Sequence, residues 1–505
     1  MKCKSLLLIF LLLSSSVLFG QTIKPIAAGK SIFLGSAYSS AQASNFQNYW
    51  NQVTSENGGK WGSVEGTRGV MNWSDNDLSY NLAKKYGILF KEHTLIWGAQ
   101  QPSWIASLDT ASQRKEIDQW FSLLAARYKD IDLIDVVNEP MHNAPNGMLP
   151  WGATTKNIDY AKALGGTGKT GWDWIKTSFR MARKYFPKSK LIMNEYSVIN
   201  SSTETQNYIK IIKILQADSL IDGIGEQAHA FTTSGTSAAT LKANLDALAS
   251  TGLPIYLTEM DIDGATDLIQ LTEMQRVFSV FWKHPAVKGI TFWGFRVGLW
   301  RNDQKAYLIN QNGTERPALT WLKAYVNDTL TLTKSIALSY PKDSTSIILK
   351  GATVNMLATV LPTNTTIKNV TWSVAPTTLA SIDANGKLTA VANGKITVTA
   401  TSWDGSGIKG TKVITISDPP TSLSEKLNAG VITVYPNPAT NGNFTINGIE
   451  SIKQIELVNL VGIKVIEFNN LNQTSLDIQA NVPKGIYVLI LFDGSQSACK
   501  KVLIE

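Results

Sequence analysis

Between residues 31 and 293, short apolar, β-branched runs alternate with longer stretches in which apolar positions recur every three to four residues. The short runs fall at 31–36, 51–55, 88–94, 133–138, 190–194, 223–227, 254–258 and 289–293. A short run bounded by polar and turn-forming residues predicts a strand, and the longer period predicts a helix with one buried face. The pattern predicts helices at 75–85, 112–128, 172–185, 203–218, 239–249 and 271–282. Eight strands with intervening helices predict a (β/α)8 barrel. An open doubly wound sheet is the competing arrangement. It would carry a glycine-rich phosphate loop after its first strand, and none is found there.

After about residue 327 the texture changes. Val, Ile, Thr, Ser, Asn and Gly dominate, and evenly spaced alternating runs replace the helical ones. The chain is therefore expected to hold a (β/α)8 domain over 21–328, followed by two small all-β, sandwich-like domains at 335–417 and 429–505, with a linker at 418–428. Asp383-Ala-Asn-Gly-Lys387 and Asn393-Gly-Lys395 read as hairpin turns. Trp372 is expected in the core of the first sandwich.

The 505 residues are 44% hydrophobic and 17% charged, a globular composition. The net charge of +8 comes without a Lys/Arg run long enough for a nucleic-acid footprint, so no nucleic-acid partner is expected. Residues 1–20 have the form of a secretory signal peptide: basic Lys2 and Lys4, an apolar core at 6–13, and a cut expected before Gln21. The apolar run is short for a membrane span, and none is expected in the mature chain. That chain would keep Cys499 alone, which leaves no internal disulfide and no cysteine-based metal site.

In such a barrel the chemistry lies at the C-terminal strand ends. The predicted ends carry Glu56, Asn57, Lys60, His93, Trp97, Gln100, Asn138, Glu139, Asn194, Glu195, Tyr196, Glu226, Gln227, His229, Glu259, Asp261 and Trp293. Hydroxyl-rich substrates suit amides, carboxylates, Lys and His, and pyranose faces suit flat aromatic rings. Two acids at two strand ends, Glu139 and Glu259, suit glycosidic bond cleavage, in which one protonates the leaving oxygen and the other attacks or activates water. Neither a metal nor an organic cofactor is expected, because His93 and His229 lack helical i,i+4 spacing and there is no HExxH sequence.

Several ordered motifs carry a resemblance. They are Val53-Thr-Ser-Glu-Asn57 with Lys60-Trp61, His93-Thr-Leu-Ile-Trp97 with Gln100 and Pro102-Ser-Trp104, Asp135-Val-Val-Asn-Glu139, Asp222-Gly-Ile-Gly225 with Gln227 and His229, Leu257-Thr-Glu-Met-Asp261, and Phe292-Trp-Gly294. Together, over residues 25–326, they resemble glycoside hydrolase family 10, the endo-β-1,4-xylanases. The resemblance implies a retaining mechanism with Glu139 as acid/base and Glu259 as nucleophile, supported by Asn138, His229 and Asp261. It further implies that Glu56, Asn57, Lys60, His93, Trp97, Gln100, Tyr196 and Gln227 line the sugar subsites, and that Trp293 and Trp300 cover the cleft. One position departs from the family. Where relatives usually carry a second His after Trp97, this chain has Gly98, which predicts weaker or redistributed hydrogen bonding beside the catalytic subsite.

Residues 335–417, through Val370-Thr-Trp-Ser373, Ala380-Ser-Ile-Asp383 and Lys395-Ile-Thr-Val-Thr-Ala400, resemble a bacterial immunoglobulin-like domain. Its expected role is that of a spacer, with carbohydrate binding as the alternative. The last domain resembles the C-terminal sorting domain of type IX secretion, through Tyr435-Pro-Asn-Pro438, Leu460-Val-Gly462 and Gly485-Ile-Tyr487. These resemblances imply a secreted or surface-attached, monomeric endo-xylanase. Its partners would be xylan, xylo-oligosaccharides and the type IX secretion machinery. A barrel hydrolase of glucan or mannan, or a non-catalytic glycan-binding protein, is the alternative.

Overall fold

A computed structural model describes residues 24–150, 153–341, 347–417 and 432–505. The expected leader at 1–20 and linker at 418–428 lie outside the described residues. The chain divides into two compact units, Met1–Leu330 and Thr331–Glu505.

The first unit is a closed barrel of eight parallel strands. They are β1 (Phe33–Tyr38), β2 (Gln52–Ser55), β3 (Leu89–Ile96), β4 (Leu133–Asn138), β5 (Lys190–Glu195), β6 (Gly223–Glu226), β7 (Ile255–Met260) and β8 (Val287–Phe292). The ring closes by pairing Phe33 with Gly289 through to Ser36 with Phe292. The fold class expected from the alternating pattern is the one observed. The boundaries differ for local reasons. β3 runs on to Ile96 because its ladder to β4 shifts register between His93 and Ile96. Such an irregularity re-aims side chains beside a site. β6 and β8 each stop one residue early, so Gln227 and Trp293 stand just past the ladder.

The helices between strands start where a side chain can satisfy their free N–H groups. Asp109 accepts from Ala111 and Ser112, Ser201 from Glu204, Ser237 from Thr240 and Thr266 from Ile269. The Thr266 cap begins the helix Asp267–Lys283 four residues before its expected start at 271. The helix Pro317–Val326, absent from the predicted set, starts on a proline, which costs nothing at a position with no helical N–H bond to make.

The N-terminal end of the barrel is plugged by Phe33, Leu89, Leu133, Ile192 and Tyr256 from β1, β3, β4, β5 and β7. Phe33 and Tyr256 stack with ring centres 5.9 Å apart. Glycine makes the room for them. A Cβ on Gly289 would strike the Phe33 ring, and one on Gly223 would sit 2.7 Å from the Tyr256 ring. With this end filled by apolar side chains, buried polar groups concentrate at the other.

In the second unit, strands between Ser335 and Ser417 form sheets around Tyr340, Ile348, Met356, Val374, Leu388, Ile396, Val398, Ile414 and Ile416. Trp372 is only half-buried and packs on the edge of this core, beside Gly386 and the Ile336–Val360 cluster, not in its centre as expected. Strands from Thr433 to Ile504 form a three-stranded and a four-stranded sheet around Phe444, Ile455, Leu457, Leu489, Leu491 and Val502. Among the described residues no helix is long and apolar enough to cross a membrane, and Cys499 is a free thiol.

Candidate active site

Glu139 is the first residue past β4 and Glu259 is the fifth residue of β7. They are 8% and 5% exposed, so both carboxyls have left bulk water without being closed off from the rim. Glu139 holds φ at +53°. Its N–H donates to the Asn194 carbonyl (2.8 Å), the last bond of the ladder to β5, and the positive φ then takes the chain off the strand. Four groups donate to its carboxyl. Trp97 Nε1 (3.0 Å) and Asn143 Nδ2 (2.6 Å) reach Oε2, and Gln227 Nε2 (2.8 Å) and Asn138 Nδ2 (3.2 Å) reach Oε1.

Burial, followed by the like charge of Glu195, pushes Glu139 up to about 7 against the opposing Gln227 and Trp97 bonds. Glu259 adds a smaller like charge.

Burial also works to raise Glu259, but it is outweighed by the charges of His93, His229 and Lys91 and by the His229 hydrogen bond, and this carboxyl is held down at about 2. His229 turns Nε2 to Glu259 Oε2 (3.3 Å) and Nδ1 to Asp261 Oδ2 (2.7 Å). Burial opposes the cation, yet Asp261 and Glu259 together raise His229 to about 9. Asp261 is itself fixed by the Ala230 N–H (2.5 Å) and Trp300 Nε1 (3.0 Å). On the other side His93 Nδ1 lies 2.9 Å from Asp135 and 3.9 Å from Glu259, and Lys91 Nζ donates to the same Asp135 oxygen (2.6 Å). Burial lowers His93, against the charges of Glu259 and Asp135 and the Asp135 hydrogen bond, which raise it.

One amide joins the two acids. Asn194 Nδ2 donates to Asn138 Oδ1 and to Glu259 Oε1, both at 2.8 Å, while Thr258 Oγ1 holds Asn194 Oδ1 (2.5 Å). Asn138 in turn donates to Glu139. Around this centre Lys60 Nζ donates to Asn57 Oδ1 (2.9 Å) and Gln100 Oε1 (2.8 Å) and lies 5.3 Å over the Trp97 ring. Glu56 is raised by burial, against the Lys60 charge. Trp293 stands edge-on to His93 and His229, and Trp300 lies 4.6 Å from His229. Tyr196 stacks on His142 at 4.3 Å. These residues thus meet in one connected rim cluster or directly on it, whereas Glu226, at the end of β6, is fully buried and accepts from the Ala228 N–H (3.3 Å).

Sequence reading left several residues without a role: Asn143, Asn194, the buried pair Lys91 and Asp135, and the partly exposed His142. Asn194 stands in an Asn-Glu pair like Asn138-Glu139, a signal that was open to reading. Glu195, another acid at a strand end, is fully buried and occupied by the Met141 N–H (2.8 Å) and His142 Nδ1 (2.9 Å). Gly98 does not leave a gap. Its N–H donates to the Asn143 carbonyl (2.8 Å), and the Gly98 carbonyl accepts from the Ile158 N–H (2.9 Å).

The family model described as Glycosyl hydrolase family 10 matches residues 20–325. The bacterial Ig-like domain (group 2) matches 333–413, and the secretion system C-terminal sorting domain matches 433–505. The chain is 42% identical over 293 residues to endo-1,4-beta-xylanase B of Cellvibrio japonicus, covering 57% of this chain but 45% of that protein. It is 32% identical over 275 residues to endo-1,4-beta-xylanase 3 of Hypocrea jecorina, covering 53% of this chain and 73% of that one. The solved structure of xylanase 10B from Thermotoga maritima shares the fold, with a TM-score of 0.52, 24% identity, and coverage of 61% of this chain and 98% of that one. By the matched barrel, the chain belongs to glycosyl hydrolase family 10.

Proposed function

We propose that the protein is a secreted, retaining endo-1,4-β-xylanase in which Glu139 is the acid/base and Glu259 the nucleophile. The observation that carries this reading is the split between two buried carboxyls, one raised to about 7 and the other lowered to about 2. Between those values one acid holds its proton while the other is ionised, as double displacement requires. The curated relatives are named as endo-1,4-β-xylanases, which favours xylan and xylo-oligosaccharides over glucan or mannan.

In the first step Glu259 attacks the anomeric carbon and Glu139 gives its proton to the leaving glycosidic oxygen. The carbon–oxygen bond breaks and a glycosyl ester forms on Glu259. Having given up its proton, Glu139 is left as the carboxylate; esterification removes the Glu259 charge, which lowers the Glu139 pKa, keeps it ionised and lets it serve as base. Glu139 then takes a proton from water as the water oxygen attacks the anomeric carbon, the ester bond breaks, and Glu259 leaves as carboxylate. Two inversions give retention. Asn138 would hold the sugar 2-hydroxyl. Glu56, Asn57, Lys60, His93, Trp97, Gln100, Tyr196 and Gln227 would line the subsites, with Trp293 and Trp300 over the cleft.

The match to a secretion sorting domain supports export to the cell exterior or surface, with the type IX machinery as the partner for that step. The barrel is expected to act as a monomer. Digestion of xylan, carboxymethylcellulose and mannan in parallel, with the anomeric signal followed by NMR, tests the reading. Release of β-configured xylo-oligosaccharides from xylan is the expected result. Activity on the other two polymers alone, or α-configured first products, would overturn it.

A further inference from the structure

Glu139 begins a tight turn. Its carbonyl accepts from the His142 N–H (3.3 Å) and the Asn143 N–H (2.7 Å), folding the chain back so that the Asn143 side chain meets the carboxyl it has just left. Asn143 is then pinned at its other end, where its carbonyl accepts from the Gly98 N–H at 2.8 Å. The approach at Gly98 is close. A Cβ there would overlap the Asn143 carbonyl oxygen and lie 2.5 Å from that of Ala144. These are backbone atoms, so no rotamer change relieves the clash. Ile158 N–H to Gly98, and Asn157 Nδ2 to the Ala144 carbonyl (3.1 Å), hold the same loop from behind.

We propose that Asn143 is a positioning residue for Glu139, and that the missing side chain at Gly98 is what lets the turn deliver it. The inference rests on the acid/base role proposed for Glu139. Trp97, Asn138 and Gln227 approach the carboxyl from within one residue of the ends of β3, β4 and β6, whereas Asn143 is five residues beyond β4. Its bond to Oε2 restrains carboxyl rotation, keeping one oxygen aimed at the leaving group. As a donor it favours the charged form, so Glu139 regains the ionised state readily in its turn as base.

The test is the pH dependence of kcat/KM for Asn143→Ala, Asn143→Asp, Gly98→Ala and the Gly98→Ala/Asn143→Ala pair, on the full chain. Two substrates are used: xylan, and an aryl xylobioside whose leaving group departs without a proton. For Asn143→Ala the alkaline limb on xylan should move up by about one pH unit and kcat/KM at the optimum should fall about tenfold. kcat/KM for the activated aryl substrate should hold within about twofold. Asn143→Asp keeps the shape and replaces a donor with an acceptor, so it should move the limb up further. Gly98→Ala should show the same limb shift, and the double variant should be no worse than the worse single one, since both break one contact. An unmoved limb in Asn143→Ala and Asn143→Asp, equal losses on both substrates, or multiplying losses in the double variant would overturn the proposal. A parent enzyme inactive on both substrates would instead sink the underlying assignment of Glu139.

Discussion

His229 presents Nε2 to Glu259 at 3.3 Å while its Nδ1 is held at 2.7 Å by Asp261, so the carboxylate is served by an imidazolium that is itself kept charged. Removing the Asp261 charge takes away the largest influence raising His229, and Glu259 then loses a cationic neighbour. Asp261→Asn should therefore move the acid limb of the kcat/KM profile upward by about one unit or more. The parent enzyme should stay active far into acid and decline above about pH 7 as Glu139 loses its proton. A profile of xylan hydrolysis carried from below pH 2 up to pH 9 reads both limbs, and an acid limb unmoved in Asp261→Asn would refute the relay.

The two acids should fail in different ways. Glu139→Ala should cut kcat/KM on xylan by about 10²–10⁴-fold while sparing substrates whose leaving group needs no proton. Glu259→Ala should lose turnover of both, and azide should then restore cleavage of an activated xyloside with inverted configuration at the anomeric carbon. NMR of the glycosyl azide distinguishes the outcomes; an azide of retained configuration would assign the nucleophile elsewhere.

Opposite shifts also give opposite linkage to folding. Glu259, held at about 2 against an ordinary 4.5, contributes stability that is present above its unfolded value and lost as pH falls through about 2. Glu139, raised to about 7, keeps a proton that the unfolded chain releases, so stability is lost as pH rises from about 4.5 to about 7. Glu139→Gln removes that penalty. Thermal unfolding should show it more stable than the parent at pH 8, by up to about 3 kcal/mol, with the difference vanishing at pH 4.

The apolar plug at the other end of the barrel makes a separate prediction. Gly289→Ala forces a methyl into the Phe33 ring and should destabilise the barrel by about 1–3 kcal/mol. Phe33→Leu on the same chain should recover part of that loss, measured by chemical denaturation followed through the tryptophans. Losses that simply add would show that the glycine is not there to admit the ring.

The barrel and its acids were legible because strands buried on both faces read as apolar runs and their ends are marked by polar residues. Glu139 and Glu259 stand at such ends. What stayed hidden depends on chain returning from a distance. The space at Gly98 has meaning only because residues 143 and 144 come back onto it, and Asn194 has meaning only once β5 lies beside β4. The early start of the helix Asp267–Lys283 was missed because its first turn is fixed by the Thr266 cap and not by apolar spacing. Lys91 and Asp135 belong to strands that read as apolar runs; in the fold they pair with each other inside the barrel.

The single amide of Asn194 that touches both Asn138 and Glu259 sits where Asn138 and Asn194 face each other across neighbouring strands. The gap between the two acids is therefore written into the ladder of the barrel wall and not into its loops. On the proposed roles, the handedness of the sugar released is an architectural constant: loops can evolve new substrates around the rim, but exchanging retention for inversion would require changing an acid side chain itself.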